Sequence, residues 1–290
     1  MKPYLIAEVG CNHKGDMEIA RELIRMATKF CGVPCVKFQK RTPRETLTPE
    51  EYDSPHPNPA NSYGDTYGEH REYLEMDVEQ HAQLKAYCEE WGADYSCSIW
   101  DPTSTEDVVG LNPPLIKVPS ACNTNLDMAG YLCDEYKGEI HVSLGMTTTD
   151  EIDEVVDFYK SKGRAKDLVI YHCTSGYPVP FQDTCLLEIP RLKERYGKDV
   201  KGIGFSGHHL GIAIYVAAYA WGATYFARHF TLGRTWKGTD HAASLEPDGM
   251  RRLWRDLKAT EKALQRKPKD ILDIEEPRKK KLKWERDGCA

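Results

Sequence analysis

The sequence predicts an α/β fold of the (β/α)8 TIM-barrel type, built as a single domain. The first observation is that short β-rich segments alternate with amphipathic helical segments along nearly the whole chain, as eight strand–helix units. The second is the length of 290 residues, which suits a fold whose typical size is about 250 residues. The third is that no GxGxxG motif follows the first strand, which disfavours the runner-up, a doubly wound open sheet.

The elements follow one another regularly along the chain. The predicted strands are short apolar runs, and they cover residues 3–9, 35–40, 93–99, 114–119, 139–144, 168–173, 201–206 and 223–230. The predicted helices carry apolar residues at a spacing close to 3.6, and they cover residues 16–30, 77–91, 103–109, 124–136, 149–162, 184–196, 210–220 and 246–265. In the second of these helices, Asp77 is suited to the N-cap and Gly92 to the stop.

One barrel accounts for most of the chain. Residues 1–266 are predicted to form the barrel, and residues 267–290 a basic, proline-containing tail. A long insertion at residues 41–76, between the second strand and the second helix, is rich in Pro, Asn, Tyr and Gly. In a barrel this insertion would lie at the C-terminal ends of the strands, where loops that close over a substrate are common.

Composition and charge exclude several classes of protein. The formal net charge of −6 predicts no nucleic-acid partner, and no apolar stretch reaches the roughly 20 residues that span a membrane. Ten cysteines are present, several of them inside predicted strands, and no two form a CxxC pair. Thiols in a core are typical of a reducing compartment, and no signal peptide is predicted, so we expect a cytoplasmic protein.

Polar side chains gather where the predicted strands end, which is where TIM barrels carry their chemistry. They are Glu8, Lys37, Gln39, Lys40, Ser98, Lys117, Ser120, Ser143, Thr174, Ser175, Tyr177, Ser206, His208, Arg228 and His229. Lysines and small hydroxyl groups suit a phosphate and a carboxylate, and imidazoles suit a transition metal. The set predicts a small, densely anionic ligand beside a divalent cation. Taken singly, each residue has a structural alternative, such as a helix-capping serine or a hydrogen-bonded core histidine.

The same segments resemble the sialic acid synthase family, the phosphoenolpyruvate-dependent synthases of nine-carbon 2-keto acids. The matching segments are IAEVGCNHKGD, VKFQK, IKVPSACN, SLGMTT, HCTSGYPVP, GFSGHH and ARHFTLGRTWKGTDHAASLEPD, from residue 5 to about residue 250. The resemblance implies that phosphoenolpyruvate condenses with an aldose, N-acetylmannosamine or a related amino sugar, and that phosphate is released. It also implies a divalent metal, usually Mn²⁺ with Mg²⁺ or Co²⁺ as alternatives, and a homodimer.

The resemblance implies a role for each matched residue. The residues implied to be catalytic are Glu8, Lys37 and Lys117. Those implied to bind phosphoenolpyruvate are Lys37, Ser98, Lys117, Ser120, Ser143, Ser175 and Ser206. The resemblance implies that the sugar is bound by Glu8, Tyr177 and Asp240. Apart from the resemblance, we predict Asn61 of the insertion as a further sugar contact, in place of those that a C-terminal domain supplies in the family. The metal would be held by His208 and His229, whereas His209 has no counterpart in the motif and is expected to be structural.

Three departures from the family pattern are visible. Gly207 and Ala227 stand where an acidic residue is common beside each metal histidine, so a charge that could orient the imidazole is missing. We also expect this chain to lack the small antifreeze-like C-terminal domain that family members carry. Cys11 follows the first strand, where related keto-acid synthases use a cysteine as metal ligand, but a small buried thiol is the favoured interpretation.

Other functions remain open at this point. A related synthase could use another aldose, and a metal-dependent barrel aldolase or hydrolase could use the two histidines without phosphoenolpyruvate. A barrel that has lost catalysis and serves as a binding protein is a third alternative. The complete set of Glu8, both lysines and both histidines argues against the third.

Overall fold

The expected TIM barrel is confirmed by the computed structural model, which describes residues 2–284. Eight parallel strands close into a barrel in the order in which they occur in the chain. They are β1 (Tyr4–Gly10), β2 (Cys35–Lys40), β3 (Asp94–Ile99), β4 (Leu115–Val118), β5 (Glu139–Ser143), β6 (Leu168–Cys173), β7 (Gly202–Ser206) and β8 (Tyr225–His229). Each observed strand overlaps its predicted segment.

Helices surround the barrel and connect its strands. They are α1 (Met17–Arg25), α2 (Pro43–Thr46), α3 (Pro49–Asp53), α4 (Tyr67–Leu74), α5 (Val78–Glu90), α6 (Pro102–Leu111), α7 (Leu126–Glu135), α8 (Thr149–Ser161), α9 (Glu188–Tyr196), α10 (Ala213–Ala220), α11 (Pro247–Ala263) and α12 (Glu276–Leu282). Helix α5 begins as predicted, because the Asp77 carboxylate accepts a hydrogen bond from the backbone N–H of Gln80.

Two predicted helices differ from the observed ones for local reasons. The helix expected at 16–30 is α-helical only to Arg25, and residues 26–30 continue it as a π-helical turn. The helix expected at 184–196 begins at Glu188, because Cys185 adopts a left-handed backbone with φ of 46° and interrupts it.

The strand register places the predicted site residues side by side. Glu8 on β1 lies opposite Lys37 on β2 and opposite His229 on β8. Ser98 on β3 lies opposite Lys117 on β4. Because side chains in a parallel barrel alternate between interior and exterior, this register brings them to one end of the interior. Below them the interior is filled by an apolar layer, namely Ile6, Cys35, Leu115, Val169, Tyr171 and Ala227.

The insertion at 41–76 folds into helices α2, α3 and α4 and is fastened at both ends. The Arg41 backbone N–H donates to the Glu75 carboxylate, and the Thr42 backbone N–H donates to Asp101 Oδ2 at 2.7 Å. The insertion therefore starts and ends at the barrel rim and lies over the C-terminal strand ends.

The predicted tail begins after α11 and contains the short helix α12. Its basic run, Arg278 to Lys281, lies on this helix and is exposed. Residues 285–290 of the predicted tail lie outside the described residues. Within residues 2–284, no helix has both the length and the apolar character needed to cross a bilayer.

Candidate active site

A cavity of about 500 Å³ opens at the C-terminal ends of the strands. It brings together most of the residues that the sequence and the family resemblance had pointed to, from all eight strand ends. The lining residues among them are Glu8, Lys37, Gln39, Ser98, Lys117, Ser120, Ser143, Ser175, Tyr177, Ser206, His208, Arg228, His229 and Asp240. Lys40, Thr174 and Asn61 do not line the cavity. The cavity falls in the size range of small-molecule sites, with polar groups converging from several elements.

Lys37 and Glu8 form a buried ion pair on one side of the cavity. The Lys37 ammonium contacts the Glu8 carboxylate and also donates to the Ser98 hydroxyl. Burial lowers the pKa of Lys37 to about 7, and the Glu8 carboxylate in contact with it is the opposite charge of a buried pair. The charge of Lys37 is therefore already matched within the protein.

Lys117 is buried without a matching charge. Its Nζ has no hydrogen-bond partner within the described part of the chain and lies 3.1 Å from the centroid of the Tyr171 ring. Burial, and then the charge of Lys37, hold the pKa of Lys117 well below its usual value. Because burial disfavours the charged form, an anion that enters the cavity would stabilise the Lys117 ammonium.

Small hydroxyl groups surround this side of the cavity at the ends of β4, β5 and β6. The Gly145 backbone N–H donates to Ser120 Oγ at 3.0 Å. A Cβ at position 145 would lie 2.4 Å from Ser175 Oγ and 2.8 Å from Ser120 Oγ, so glycine leaves room that a side chain would take. Backbone and hydroxyl groups in this arrangement suit the oxygens of a phosphate or a carboxylate.

His208 and His229 stand on the opposite side with their ring centroids 5.8 Å apart. His208 Nδ1 lies 3.0 Å from the Thr174 carbonyl oxygen, a bond that fixes a proton on Nδ1 and leaves the Nε2 lone pair free. Burial, and then the neighbouring His229, lower the pKa of His208 to about 4, and burial and then Lys37 lower the pKa of His229 to about 3. Both imidazoles are therefore neutral at physiological pH.

This pair fits a divalent cation. Neutral imidazoles are good ligands for transition metals, and His229 Nδ1 is buried without a hydrogen-bond partner among residues 2–284. Asp240 Oδ2 lies 4.0 Å from that nitrogen. No group of three or more His, Cys, Asp or Glu side chains in the described structure could hold a metal ion, so the candidate protein ligands are the two histidines alone.

Most of the residues predicted to bind the sugar line the cavity, and one lies in a loop outside it. Tyr177 and Asp240 line the cavity, and the Tyr177 ring lies 4.3 Å from the His208 ring. Asn61 does not line it. The Asn61 side-chain oxygen instead accepts a hydrogen bond from the Gly238 backbone N–H at 3.4 Å, which joins the insertion to the loop after β8.

The positions that depart from the family motif have local explanations. A Cβ at Gly207 would lie 2.8 Å from both the Phe205 ring and the Tyr215 hydroxyl, so an acidic side chain has no room there. His209 is fully buried, with its ring 5.3 Å from the Tyr215 ring and 6.0 Å from the Phe205 ring. It lies in the packing between β7 and α10, as a structural residue would.

Several lining residues were not assigned to the site from the sequence. They are Arg41, Arg71, Trp100 and Met146. Arg41 continues the inward-facing alternation of Lys37 and Gln39, which is a signal that could have found it. Arg71 lies on α4 of the insertion, where no strand periodicity indicates which side chains turn inward.

Cys11 is part of the cavity wall as a thiol. Burial raises its pKa to about 11, and its Sγ accepts a hydrogen bond from the Gln39 side-chain amide at 3.1 Å. It does not join the two histidines in a three-residue metal cluster within the described residues.

Comparison with known proteins gives a consistent family assignment. The model of the NeuB family matches residues 23–269. The chain is 37% identical to the human N-acetylneuraminate-9-phosphate synthase over 94% of its own length and 74% of the relative's. It is 30% identical to the N,N'-diacetyllegionaminic acid synthase of Campylobacter jejuni, over 91% of this chain and 78% of that one. The chain thus spans about three quarters of the length of these relatives.

A solved structure has the same fold. The sialic acid synthetase of Leptospira borgpetersenii, in complex with citrate, superposes with a TM-score of 0.81 at 23% identity, covering 97% of this chain and 93% of the other. The barrel, the family match over most of the chain and the identity to curated synthases agree, and the chain therefore belongs to the NeuB family of synthases.

Proposed function

We propose that this protein condenses phosphoenolpyruvate with an amino-sugar aldose to form a sialic-acid-like 2-keto acid, with release of inorganic phosphate. The observation that carries the proposal is the buried, unpartnered Lys117 ammonium beside a cluster of hydroxyl groups. Such a site suits a small ligand with several negative charges, and phosphoenolpyruvate carries both a phosphate and a carboxylate. The names of the relatives, which are sugar-acid synthases, support the same reaction.

Phosphoenolpyruvate would lie on the side of the cavity formed by β3 to β6. Lys117 would supply the charge, and hydroxyl groups would orient the oxygens, with Ser98, Ser120, Ser143, Ser175 and Ser206 as the proposed ligands. The space beside Gly145 would allow one oxygen to approach the backbone closely. These contacts would fix C3 of the enol ester towards the second substrate.

We further propose that His208 and His229 hold a divalent cation, most simply Mn²⁺, with Mg²⁺ or Co²⁺ as alternatives. When bound, such a cation would polarise the carbonyl group of the aldose. The chain's own contribution is to keep both imidazoles neutral by burial and to direct the His208 lone pair by the bond to Thr174.

The reaction requires one new C–C bond and one proton at the aldehyde oxygen. C3 of phosphoenolpyruvate attacks C1 of the open-chain aldose, and the C=O electrons move to oxygen, which takes a proton to become the new hydroxyl. Water then adds to the electron-deficient C2 and loses one proton. The C2–O bond to phosphate breaks as the new C2 hydroxyl gives its remaining proton to the departing phosphate, which leaves the ketone. The Glu8–Lys37 pair would supply the proton for the aldehyde oxygen, a role supported by its position on the cavity wall next to His229.

The sugar would lie above the enol ester, near Tyr177 and Asp240. Asp240 can accept hydrogen bonds from sugar hydroxyl groups, and the exposed Tyr177 ring can cover a sugar face. Asn61 would act on the sugar only through the loop that it joins to Gly238. The relatives' names cover both phosphorylated and unphosphorylated products, so they leave the form of the acceptor open.

The test is the consumption of phosphoenolpyruvate with Mn²⁺ across a panel of aldoses, together with the manganese content of the protein. We expect consumption with an N-acylated hexosamine, and His229→Ala should lose both that activity and bound manganese. The matched control is His209→Leu, which removes an adjacent buried imidazole outside the cavity wall and should keep both. Phosphoenolpyruvate that stays unconsumed with every aldose would contradict the proposal, and retained manganese in His229→Ala would contradict the metal assignment.

A further inference from the structure

We infer that Glu139, His141 and Tyr171, which lie in the barrel interior beneath the cavity, are positioning residues that keep Lys117 in its ammonium form for phosphoenolpyruvate. This inference rests on the proposed condensation and deepens it by giving a role to three groups that do not touch the ligand. Lys117 is buried and its Nζ has no hydrogen-bond partner within residues 2–284. Before an anion binds, its charge must therefore be stabilised in another way.

The group in contact with the Lys117 ammonium is the face of the Tyr171 ring. Lys117 Nζ lies 3.1 Å from the ring centroid, and the ring is fully buried. The face of an aromatic ring carries partial negative charge and attracts a cation, more strongly where water is absent. Gly204 on β7 leaves the room that this ring occupies, since a Cβ there would lie 2.5 Å from Tyr171 Cδ1. The barrel thus holds the ring where it can stabilise the ammonium.

The hydroxyl group of the same tyrosine is bonded to an imidazole and, through it, to a carboxylate. Tyr171 Oη lies 2.8 Å from His141 Nδ1, and His141 Nε2 lies 3.2 Å from Glu139 Oε2. Burial lowers the pKa of His141 to about 4, so the imidazole is neutral and carries one proton. An ionised carboxylate can only accept, which places that proton on Nε2 and leaves Nδ1 to accept from the Tyr171 hydroxyl.

Glu139 is the charged end of this interior triad, at the start of β5. Burial acts to raise its pKa, but hydrogen bonds from His141 and then from Lys201 outweigh burial and bring the pKa to about 2. An ionised acceptor polarises the hydrogen bonds that lead to it, so the Tyr171 oxygen gains partial negative charge. We expect this charge to make the ring a stronger partner for the Lys117 cation.

Other titratable groups also act on Lys117. Besides burial, which has the largest influence on the pKa of Lys117, the charge of Lys37 on β2 lowers it and Cys173 on β6 raises it. Further titratable groups that act on the triad are Cys35 on β2, Lys201 before β7 and Tyr225 on β8. Burial lowers the pKa of Lys37 to about 7, so Lys37 titrates in the physiological range. Its polar contacts are with Glu8 and Ser98, outside the triad, so its titration should be common to wild type and triad variants.

The experiment measures the dissociation constant of phosphoenolpyruvate by calorimetry from about pH 6 to about pH 9, without an acceptor sugar. Because the ammonium is the binding form, affinity should fall as the pH rises through the pKa of Lys117. Tyr171→Phe keeps the ring and breaks the bond to His141. It should shift this fall to lower pH by about half a unit, which makes binding about threefold weaker at the alkaline end and leaves it unchanged at the acidic end.

Two further variants extend the series on either side of Tyr171→Phe. Tyr171→Leu removes the ring itself, so the shift should reach about one pH unit and the loss of affinity about tenfold at the alkaline end. Glu139→Gln removes the charge that polarises the triad, so binding there should be about twofold weaker. Because Tyr171 is fully buried and the Glu139 side chain is 30% exposed, Glu139→Gln carries the test if the tyrosine variants do not fold.

The matched control is Lys201→Gln, which removes the exposed ammonium 2.8 Å from Glu139 Oε1 and keeps the triad intact. Its pH dependence should equal that of the wild type, whereas a shift opposite and similar to that of Glu139→Gln would overturn the inference, since net charge alone would then explain both. Unchanged pH dependence in the Tyr171 and Glu139 variants would overturn it and leave the condensation standing. An equal loss of affinity at every pH would do the same, because it would make the triad purely structural. A wild type that binds no phosphoenolpyruvate at any pH would overturn the condensation and this inference together.

Discussion

The cavity has two levels that are built in different ways. The floor consists of side chains at the strand ends, namely Glu8, Lys37, Ser98, Lys117, Ser120, Ser143, Ser175, Ser206, His208 and His229. The rim consists of the insertion at 41–76 and the loop after β8, which meet where the Tyr63 hydroxyl donates to the Lys237 carbonyl and where Gly238 donates to Asn61. Floor residues are positioned by the register of eight strands, whereas rim residues are positioned by contacts between two loops.

Because of this difference, we expect the floor residues to determine the chemistry of the reaction and the rim residues to determine which acceptor is used. A rigid floor suits groups that must be placed precisely around phosphoenolpyruvate. Loops can change in sequence without disturbing the barrel, so the rim is where relatives can differ in the sugar they accept. Floor substitutions should therefore change the reaction with every acceptor, and rim substitutions the preference between acceptors.

The largest effect on the floor is expected for Lys117→Met. The variant removes the unmatched ammonium, so kcat/KM for phosphoenolpyruvate should fall by about 1000-fold with every acceptor. Stability should change in the opposite direction, with a gain of about 1 kcal/mol in the free energy of unfolding, because a buried cation without a hydrogen bond is replaced by an apolar chain. The cation–π contact with Tyr171 keeps this gain small. Steady-state kinetics and urea denaturation of the ligand-free protein measure the two effects.

The matched control for Lys117→Met is Lys37→Met on the same floor. Here the Glu8 carboxylate would be left buried without its partner, so we expect a loss of about 3 kcal/mol in unfolding free energy. Opposite signs for the two lysines would identify Lys117 as a ligand group and Lys37 as part of a pair. If Lys117→Met were as destabilised as Lys37→Met, Lys117 would be structural.

The same division explains which parts of the molecule the sequence could predict. The strands and most of the floor were predictable, because Lys37, Ser98 and Lys117 end apolar segments and parallel strands align such ends. The pairing of Lys37 with Glu8, while Lys117 stays unmatched, was not, since it depends on how far each side chain reaches across the barrel. Arg71 was missed for the reason that applies to the whole rim, namely that an inserted loop has no strand periodicity to show which side faces inward.

A smaller effect is expected for Gly145→Ala, which fills the space beside the hydroxyl cluster. The added methyl group would overlap Ser175 Oγ and Ser120 Oγ, so the two hydroxyls must move and the KM for phosphoenolpyruvate should rise by about 10-fold. Helix α6 offers the control Gly110→Ala, where a Cβ meets no atom within 4 Å of the described structure. It should leave KM unchanged and stabilise the protein by about 0.5–1 kcal/mol. An unchanged KM in Gly145→Ala would show that phosphoenolpyruvate does not use this space.

The smallest effect on catalysis is expected for His209→Leu, at a residue that follows the floor residue His208 in the chain but does not line the cavity. Its neighbour His208 lines the cavity, but His209 points into the packing around Phe205 and Tyr215, and neither of its ring nitrogens has a hydrogen-bond partner within residues 2–284. Leucine has a similar volume and no polar atom to leave unsatisfied, so the variant should gain about 1 kcal/mol in unfolding free energy. Its kcat/KM for phosphoenolpyruvate should stay within about twofold of the wild type, because the substitution alters no contact with the ligand. A tenfold change would require a loss of about 1.4 kcal/mol in binding free energy. Thermal unfolding and steady-state kinetics on one preparation measure both. A large loss of turnover in a well-folded variant would contradict this expectation. It would show that His209, although outside the cavity wall, positions the imidazole of His208.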